Sequence, residues 1–384
     1  MISASQPALA IRELDSLRMA QALELAENAI GLSDPNPRVG CVIGSDDGRV
    51  FGSGWTQQVG GPHAESVALA DTRTKGLDVR GATAWVSLEP CAHHGHTPPC
   101  CEALVTAGIA RVVVALRDPF PQVDGAGIEY LRAAGVCVDM ADEALASRAR
   151  DINIGFFSRI ERGRPWVRMK VAASLDGRTA LHSGASQWIT GPDARKDGHT
   201  WRKRASAVLT GIGTVLTDDP RLDVRHVPTR IQPLRIVVDS TLKIPLHSKV
   251  LEPPGARLVV SASDPSRRSE DMGRMGVDVL VSARADGQVD LANMLVALAR
   301  MNVNELHVEA GARLNAALFE SQLVDELVIY LAPKLIGEGL GMVAMGPLES
   351  LAKVFSLRFD SVQMVGEDMR VCATPLYRPF AGHL

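Results

Sequence analysis

The sequence lacks any uninterrupted apolar run approaching the roughly 20 residues of a membrane-spanning helix, which argues against a span. Its first stretch, MISASQPALAIRELDSL, is broken by charges and has neither the basic start nor the long apolar centre of a secretion signal. Together these absences lead to the expectation of a cytoplasmic protein. Cysteine is sparse, with six in 384 residues, at positions 41, 91, 100, 101, 137 and 372. A disulfide scaffold does not suit a chain of this length without a secretion signal. The one cluster, at 91–101, instead favours a metal or catalysis in a reducing compartment. Basic residues are scarce in the first part: residues 1–150 hold 12 Lys and Arg against 18 Asp and Glu, a balance of −6. That leaves 29 basic and 26 acidic residues, or +3, for the remainder. An acidic first half argues against nucleic acid as its substrate, because phosphate backbones draw on Lys and Arg. There is no internal repeat and no low-complexity tract.

What is present is an ordinary core-forming composition, 46% apolar against 22% charged, in a chain long enough for two domains. Residues 11–31 carry Ile11, Leu14, Leu17, Ala20, Leu23, Leu25 and Ala29 at helical spacing, with Gly31 as a stop. VGCVIG and RVFGSGW read as strands around an SDDG turn, a helix follows from about His63 to Ala70, and ATAWVSLEP is again strand-like. CEALVTAG (helix), ARVVVAL (strand) and GIEYLRAAG (helix) complete a β-β-α-β-α-β-α order, hence an α/β layer with helices on a central sheet. Near 145–165 a helix ends in a charged Gly/Pro stretch, so domains are expected at 1–155 and 160–384. The second half resumes alternation, with WVRMKVAAS, AVLTG, LRIVVDS, RLVVSA, VDVLV, ELHVEAG and ELVIYLAP as strands. DARKDGHTWRKRA and LANMLVALARM are its helical segments, and together they predict a second α/β domain.

The stretch PCAHHGHTPPC at 90–100 sets a cysteine near each end of a run containing three histidines. Upstream, PHAES at 62–66 supplies His63 and Glu65. His-x-Glu followed by Pro-Cys, a spacer and Cys is the signature of zinc-dependent deaminases. His63, Cys91 and Cys100 form a three-ligand set that leaves a fourth position for water, whose pKa zinc lowers towards about 7. Glu65 is placed to take the water's proton and pass it to a departing amine. Helices beginning near His63 and Cys100 favour thiolate through their N-terminal dipoles. Cys100 is preferred as the third ligand over its neighbour Cys101, while His93, His94 and His96 read as loop or substrate-contact residues. A purely structural zinc site, with Glu65 incidental, is the competing interpretation.

With HAE at 63–65 and PCAHHGHTPPC at 90–100, the sequence resembles the bifunctional deaminase–reductase family of riboflavin biosynthesis. The family motif is similar to P-C-S-H-x-G-R-T-P-P-C, so this chain departs from it at Ala92 and His96, the family's Ser and Arg. DPNPRVGCVI upstream is similar to the family's substrate-side loop, which implies that Asn36 hydrogen-bonds a pyrimidine. Downstream, KVAASLDGRTA, SQWIT, TVLTDDPRL and HVEAGARLNAALF look like the reductase half. The resemblance implies a cytidine-deaminase-like α/β/α domain followed by a dihydrofolate-reductase-like α/β domain. It also implies Zn2+ and NADPH as cofactors, a small pyrimidine ribose phosphate as substrate, and a homo-oligomer.

In the second half, LHVEAGARLNAALF reads as strand, small turn and helix, with Gly311 allowing backbone to approach a phosphate at a helix N-terminus. TGIGTVL has a Gly-x-Gly but no third glycine, which excludes a Rossmann fingerprint. The resemblance assigns cofactor contacts to Ala172, Trp188, Thr214, Asp218, Ser240 and the run Gly311, Ala312, Arg313, Leu314, Asn315, Ala316 and Ala317. It assigns substrate contacts to Ser186, Arg202, Leu222, Arg225 and Glu309. Arg202 and Arg225 suit a ribose phosphate, since a guanidinium pairs with oxyanions through two bonds. Lys170 and Asp176 lie in the domain's first strand and turn, where a salt bridge competes with a catalytic role. No proton donor for the reductase is evident. A nucleoside or RNA deaminase, a reductase with a decayed deaminase half and a zinc-stabilised binding protein are the rival readings.

Overall fold

A computed structural model describes residues 6–92, 99–264 and 267–377. The chain divides into two compact units, Met1–Gly163 and Arg164–Leu384. In the first, α1 (Gln6–Glu27) precedes β1 (Gly40–Gly44), β2 (Val50–Trp55), α2 (Ala64–Thr74), β3 (Thr83–Val86) and α3 (Cys100–Thr106). There follow β4 (Arg111–Val114), α4 (Ala126–Ala133), β5 (Cys137–Met140), α5 (Glu143–Ile152) and α6 (Ile154–Arg162). The sheet order is β2-β1-β3-β4-β5; β1 is antiparallel to both neighbours, and β3, β4 and β5 run parallel.

Helices cover both faces. Met19, Leu23, Ala149 and Ile152 from α1 and α5 pack on Val42, Trp85 and Val113. Ala68, Leu104, Leu131, Phe156 and Phe157 from α2, α3, α4 and α6 pack on Cys41, Ile43, Val86 and Val112. Alternation along each strand thus feeds two separate cores, the arrangement expected of an α/β/α layer. Gly52 and Gly54 let α2 sit directly on β2: a Cβ on Gly52 would lie 2.5 Å from the Ala68 carbonyl oxygen, and one on Gly54 2.6 Å from that of Ala64. That close approach sets the N-terminus of α2, where His63 and Glu65 reside.

Two elements depart from the sequence reading. CVDM forms β5, a four-residue edge strand too short to register as a pattern. The single helix expected around 145–165 is broken into α5 and α6 at Asn153.

The second unit contains β6 (Trp166–Ser174), β7 (Arg178–Leu181), α7 (Pro192–Arg204), β8 (Ala207–Gly211), α8 (Ile212–Asp218), β9 (Leu234–Val238) and β10 (Arg257–Ser261). It continues with α9 (Arg268–Arg274), β11 (Asp278–Val281), α10 (Leu291–Arg300), β12 (Glu305–Val308) and α11 (Ala312–Glu320). The chain then forms β13 (Glu326–Ala332), β14 (Gly339–Gly341), β15 (Ser356–Val365) and β16 (Asp368–Leu376). Nine strands form one sheet in the order β11-β10-β9-β8-β12-β6-β13-β16-β15, parallel from β11 to β13 and antiparallel across β16 and β15. β7 and β14 pair separately.

The hairpin β15–β16 has no counterpart in the sequence reading. A register shift between Phe359 and Ser361 interrupts its alternation, so Leu357 and Phe359 share a face with Val362 and Met364, opposite Pro375, Ala373, Val371 and Met369. At the N-terminal edge of the sheet, Arg168 is buried between Glu305 (2.6 Å) and Glu326 (2.9 Å), with Arg204 on Glu305 at 3.0 Å. This paired cluster lies at the opposite end of the strands from the candidate cofactor edge.

Candidate active sites

His63 is the N-cap of α2, and Glu65, in its first turn, is 3% exposed. Cys91 follows the end of β3, and Cys100 opens α3. The fold brings His63 Nδ1 to 3.6 Å from Cys91 Sγ and 3.4 Å from Cys100 Sγ, and all three ligand atoms lie within 4.8 Å of one another. Zinc bonds of about 2.0–2.3 Å in a tetrahedron separate N and S donors by about 3.5 Å, so the donor set fits that ion. The Cys100 backbone N–H donates to Cys91 Sγ at 3.4 Å. The Cys100 thiol, followed by His63, pulls the Cys91 thiol down to about 4, while the same pairing pushes Cys100 up. Burial, followed by the Cys91 charge, pushes the Glu65 carboxyl up to about 7.

Cys101 points elsewhere. It is fully buried in the apolar cluster with Cys41, Leu104 and Val112, and burial pushes its thiol up to about 11. His93, His94 and His96 lie outside the described residues. Asn36 is half-buried in the loop entering β1, its N–H bonded to the Ser33 carbonyl at 2.9 Å.

One residue beside the site escaped the sequence reading. The buried Glu89 carboxylate accepts N–H bonds from Asp118 (3.2 Å), Gly125 (3.0 Å), Gly127 (3.0 Å) and Ile128 (3.2 Å). It fastens the loop before α4 to the strand end that leads into Cys91. An acidic residue just ahead of Pro-Cys was its only sequence signal.

In the second unit, α8 and α11 begin at the C-terminal ends of the neighbouring strands β8 and β12. A Cβ on Gly311 would lie 3.6 Å from Thr214 Oγ1, and one on Gly211 3.2 Å from Leu314 Cδ2, so the two turns abut. Adjacent helix starts at the carboxyl edge of parallel strands suit phosphate groups, which fits a phosphorylated cofactor. Gly311 and Arg313 are exposed there, whereas Asn315 and Ala316 are buried; Asn315 donates to the Met342 carbonyl at 3.0 Å. Ala172 lies in β6 opposite Tyr330, and Ser240 follows β9, its hydroxyl 3.2 Å from Gln288 Oε1. Ser186 reaches Asp218 at 3.4 Å. Trp188 is 61% exposed with the Arg195 guanidinium 4.6 Å over its ring, so it is not a core residue.

Glu309 is the electrostatic centre of this unit. Arg202 grips it with two bonds, one of 2.9 Å, and also donates to the Asp223 carbonyl at 2.9 Å. Lys170 Nζ stands 3.8 Å away and His307 Nε2 3.4 Å. Burial alone would raise the Glu309 carboxyl, but Arg202 and Lys170 hold it well below the usual range. Arg202 is therefore committed to Glu309, while Arg225 is the more exposed guanidinium, paired with Asp223 at 2.6 Å. Leu222 is 2% exposed and packs in the core with Val215 and Leu242. Asp176 accepts N–H bonds from Ile336 and Gly337 and fixes that loop.

Residues 12–116 match the cytidine and deoxycytidylate deaminase zinc-binding region, and residues 165–371 match the RibD C-terminal domain. The riboflavin biosynthesis protein RibD of Escherichia coli K12 is 42% identical over 369 residues, spanning 92% of this chain and 98% of that protein. The chain belongs to the RibD family. RibD of Acinetobacter baumannii superposes with a TM-score of 0.86 at 38% identity, covering 95% of this chain and 100% of that one. A Thermotoga maritima protein, described as a diaminohydroxyphosphoribosylaminopyrimidine deaminase/5-amino-6-(5-phosphoribosylamino)uracil reductase, gives 0.85 at 31% identity, covering 95% and 99%. The expected fold class holds: a cytidine-deaminase-like unit precedes a RibD reductase unit. The deaminase match stops at residue 116, whereas the first unit runs to Gly163.

Proposed function

We propose that the first unit hydrolyses the ring amine of 2,5-diamino-6-ribosylamino-4(3H)-pyrimidinone 5′-phosphate, releasing ammonia. The second unit then uses NADPH to reduce the ribosyl group, giving 5-amino-6-ribitylamino-uracil 5′-phosphate. The observation that carries this reading is the convergence of His63, Cys91 and Cys100 beside the buried Glu65, in a chain whose remainder matches RibD.

His63, Cys91 and Cys100 would hold zinc, which supplies a Lewis acid and an activated water near neutral pH. Glu65 takes the water's proton and returns it to the leaving amine, a shuttle suited to a buried carboxyl beside the ligand set. Asn36 hydrogen-bonds the pyrimidine. In the second unit NADPH supplies the hydride. The Gly311–Arg313 amides and Thr214 anchor its phosphates, with Ala172, Trp188, Asp218, Ser240 and the rest of the 314–317 turn shaping the surroundings. Ser186 and Glu309 orient the sugar, while Arg202 holds Glu309 rigid and Arg225 meets the ribose phosphate.

Dialysis against a zinc chelator tests the division of labour. Ammonia release should fall to background, while reduction of supplied deaminated intermediate by NADPH stays within about twofold of the untreated rate. Parallel loss of both activities would sink the assignment of separate chemistry to the two units.

The protein acts in the cytoplasm on a small molecule and self-associates. The support for self-association is the edge strand β15, whose Phe359 is 69% exposed in line with Leu357, Val362 and Met364. An edge strand offers unpaired backbone groups, and a second copy related by a two-fold axis meets them with the same row reversed. Arg358 and Asp360 flank Phe359 and pair with each other at 3.0 Å within one copy, which leaves the apolar row to make the contact. Light scattering should give a multiple of 41.1 kDa, and Phe359→Asp should return the monomer mass; an unchanged multiple would exclude this edge.

A further inference from the structure

The first unit continues through β5, α5 and α6 well past the end of the deaminase match, and this extension grips the loop that carries Asn36. We infer that Asn153, at the junction of α5 and α6, is a positioning residue of the deaminase, clamping the 33–39 loop beside the zinc-bearing loop. The inference rests on the deaminase reading above and deepens it.

The strand register places the two loops together. Cys41 of β1 pairs with Val86 of β3, antiparallel, and the Gly40 N–H donates to Ser87 Oγ at 2.9 Å. The chain leading into Gly40 therefore runs beside the chain leaving Ser87, which continues through Glu89 to Cys91.

The clamp itself is an amide that reads one residue's backbone twice. Asn153 Oδ1 accepts from the Arg38 N–H at 2.7 Å, and Nδ2 donates to the Arg38 carbonyl at 3.0 Å, as a neighbouring strand would. Nδ2 also donates to the Ala149 carbonyl at 3.2 Å, which anchors the amide to α5. The buried Arg38 guanidinium returns a bond to the Ile152 carbonyl at 3.0 Å. At the other end of the loop, Arg159 of α6 donates to the Pro35 carbonyl at 3.4 Å. Asn36 lies between these two ties, and inside the loop Ser33 Oγ donates to its carbonyl at 3.2 Å. Asn153 is 3% exposed, so an amide with both donor and acceptor is required where a hydrocarbon would otherwise be expected. A carboxylate of the same shape keeps the acceptor, loses the donor and sets an anion against two carbonyl oxygens.

A loop placed by such ties fixes a substrate contact within a fraction of an ångström, and misplacement from a remote change is felt as lost binding. The test is Asn153→Asp in the full-length, zinc-loaded protein, read by ammonia release from the diaminopyrimidine and by amide hydrogen exchange. The inference expects KM for the diaminopyrimidine to rise about tenfold with kcat within about twofold, the signature of lost ground-state positioning. Zinc content should stay at one per chain, and reduction of supplied intermediate should be unaffected. The Asn36 amide, bonded to the Ser33 carbonyl inside the loop, should lose protection while Val42 in β1 keeps it. An unchanged KM with a released loop would overturn the inference, as would an Asn36 amide as protected as in the wild type. Should Asn153→Asp fail to hold zinc, Arg159→Met cuts the Pro35 tie from the helix surface: a rise in KM supports the clamp, and none overturns it. Failure of the wild-type protein to release ammonia would sink the deaminase reading, leaving the clamp to be judged by the exchange measurement.

Discussion

Glu65→Gln should lower ammonia release by about 10³-fold, within the range that a positioned general acid–base residue contributes. Glutamine keeps the size and the hydrogen-bonding reach of the side chain but can neither take up nor return a proton. Glu65 is not in the ligand set, so zinc content should remain at one per chain. Reduction of supplied deaminated intermediate should proceed at the wild-type rate, because the residues proposed for that step all belong to the second unit. The paired assays separate a catalytic role from a structural one: a zinc site that merely stabilises the fold would tolerate Glu65→Gln in both. Equal loss of the two activities would point instead to collapse of the protein.

The second large effect concerns the adjacent cysteines. Cys100→Ala should remove zinc and abolish deamination, because Cys100 Sγ is one of the two sulfurs facing His63 Nδ1. Cys101→Ser should retain the metal and most of the deaminase activity, since its side chain packs in the apolar cluster on the sheet. Its cost is in stability: an unpaired hydroxyl in that cluster destabilises by about 1–3 kcal/mol. Metal analysis and thermal unfolding of the two variants therefore give opposite patterns. Zinc lost from Cys101→Ser and kept by Cys100→Ala would reverse the ligand assignment.

These two neighbours illustrate what the sequence makes legible. Spacing drew attention to both sulfurs, but only the helix they begin decides which one faces His63. Adjacent helical residues point about 100° apart, so α3 turns one thiol to the site and the other to the core. Short apolar runs such as RVVV and RIVV declared their strands, because buried parallel strands read as continuous hydrophobic stretches. CVDM did not, since an edge strand of four residues in which only Val138 is buried is shorter than any period it could reveal. The C-terminal hairpin was hidden by its own register shift, which breaks the alternation between Phe359 and Ser361.

The sites divide in the same way. His63, Cys91 and Cys100 were legible as a group that could hold a metal because ligand residue types follow one another in a recognisable order. Glu89 and Asn153 were not, because each acts on backbone groups, and backbone partners leave no trace in residue identity. Asn153 reaches Arg38 across 115 positions of sequence. Arg202 was matched to a phosphate-binding role by its type; the fold commits it to Glu309, 107 residues away. Ion pairs between distant segments are decided by strand order, which no local pattern specifies.

The most direct test of the account is NADPH absorbance followed over time after the diaminopyrimidine is added to purified, zinc-loaded protein. The account predicts oxidation that starts only after ammonia appears and that vanishes on zinc removal or in Glu65→Gln. Oxidation that persists without zinc would contradict it, because the second unit would then be reducing a substrate that the first had never deaminated.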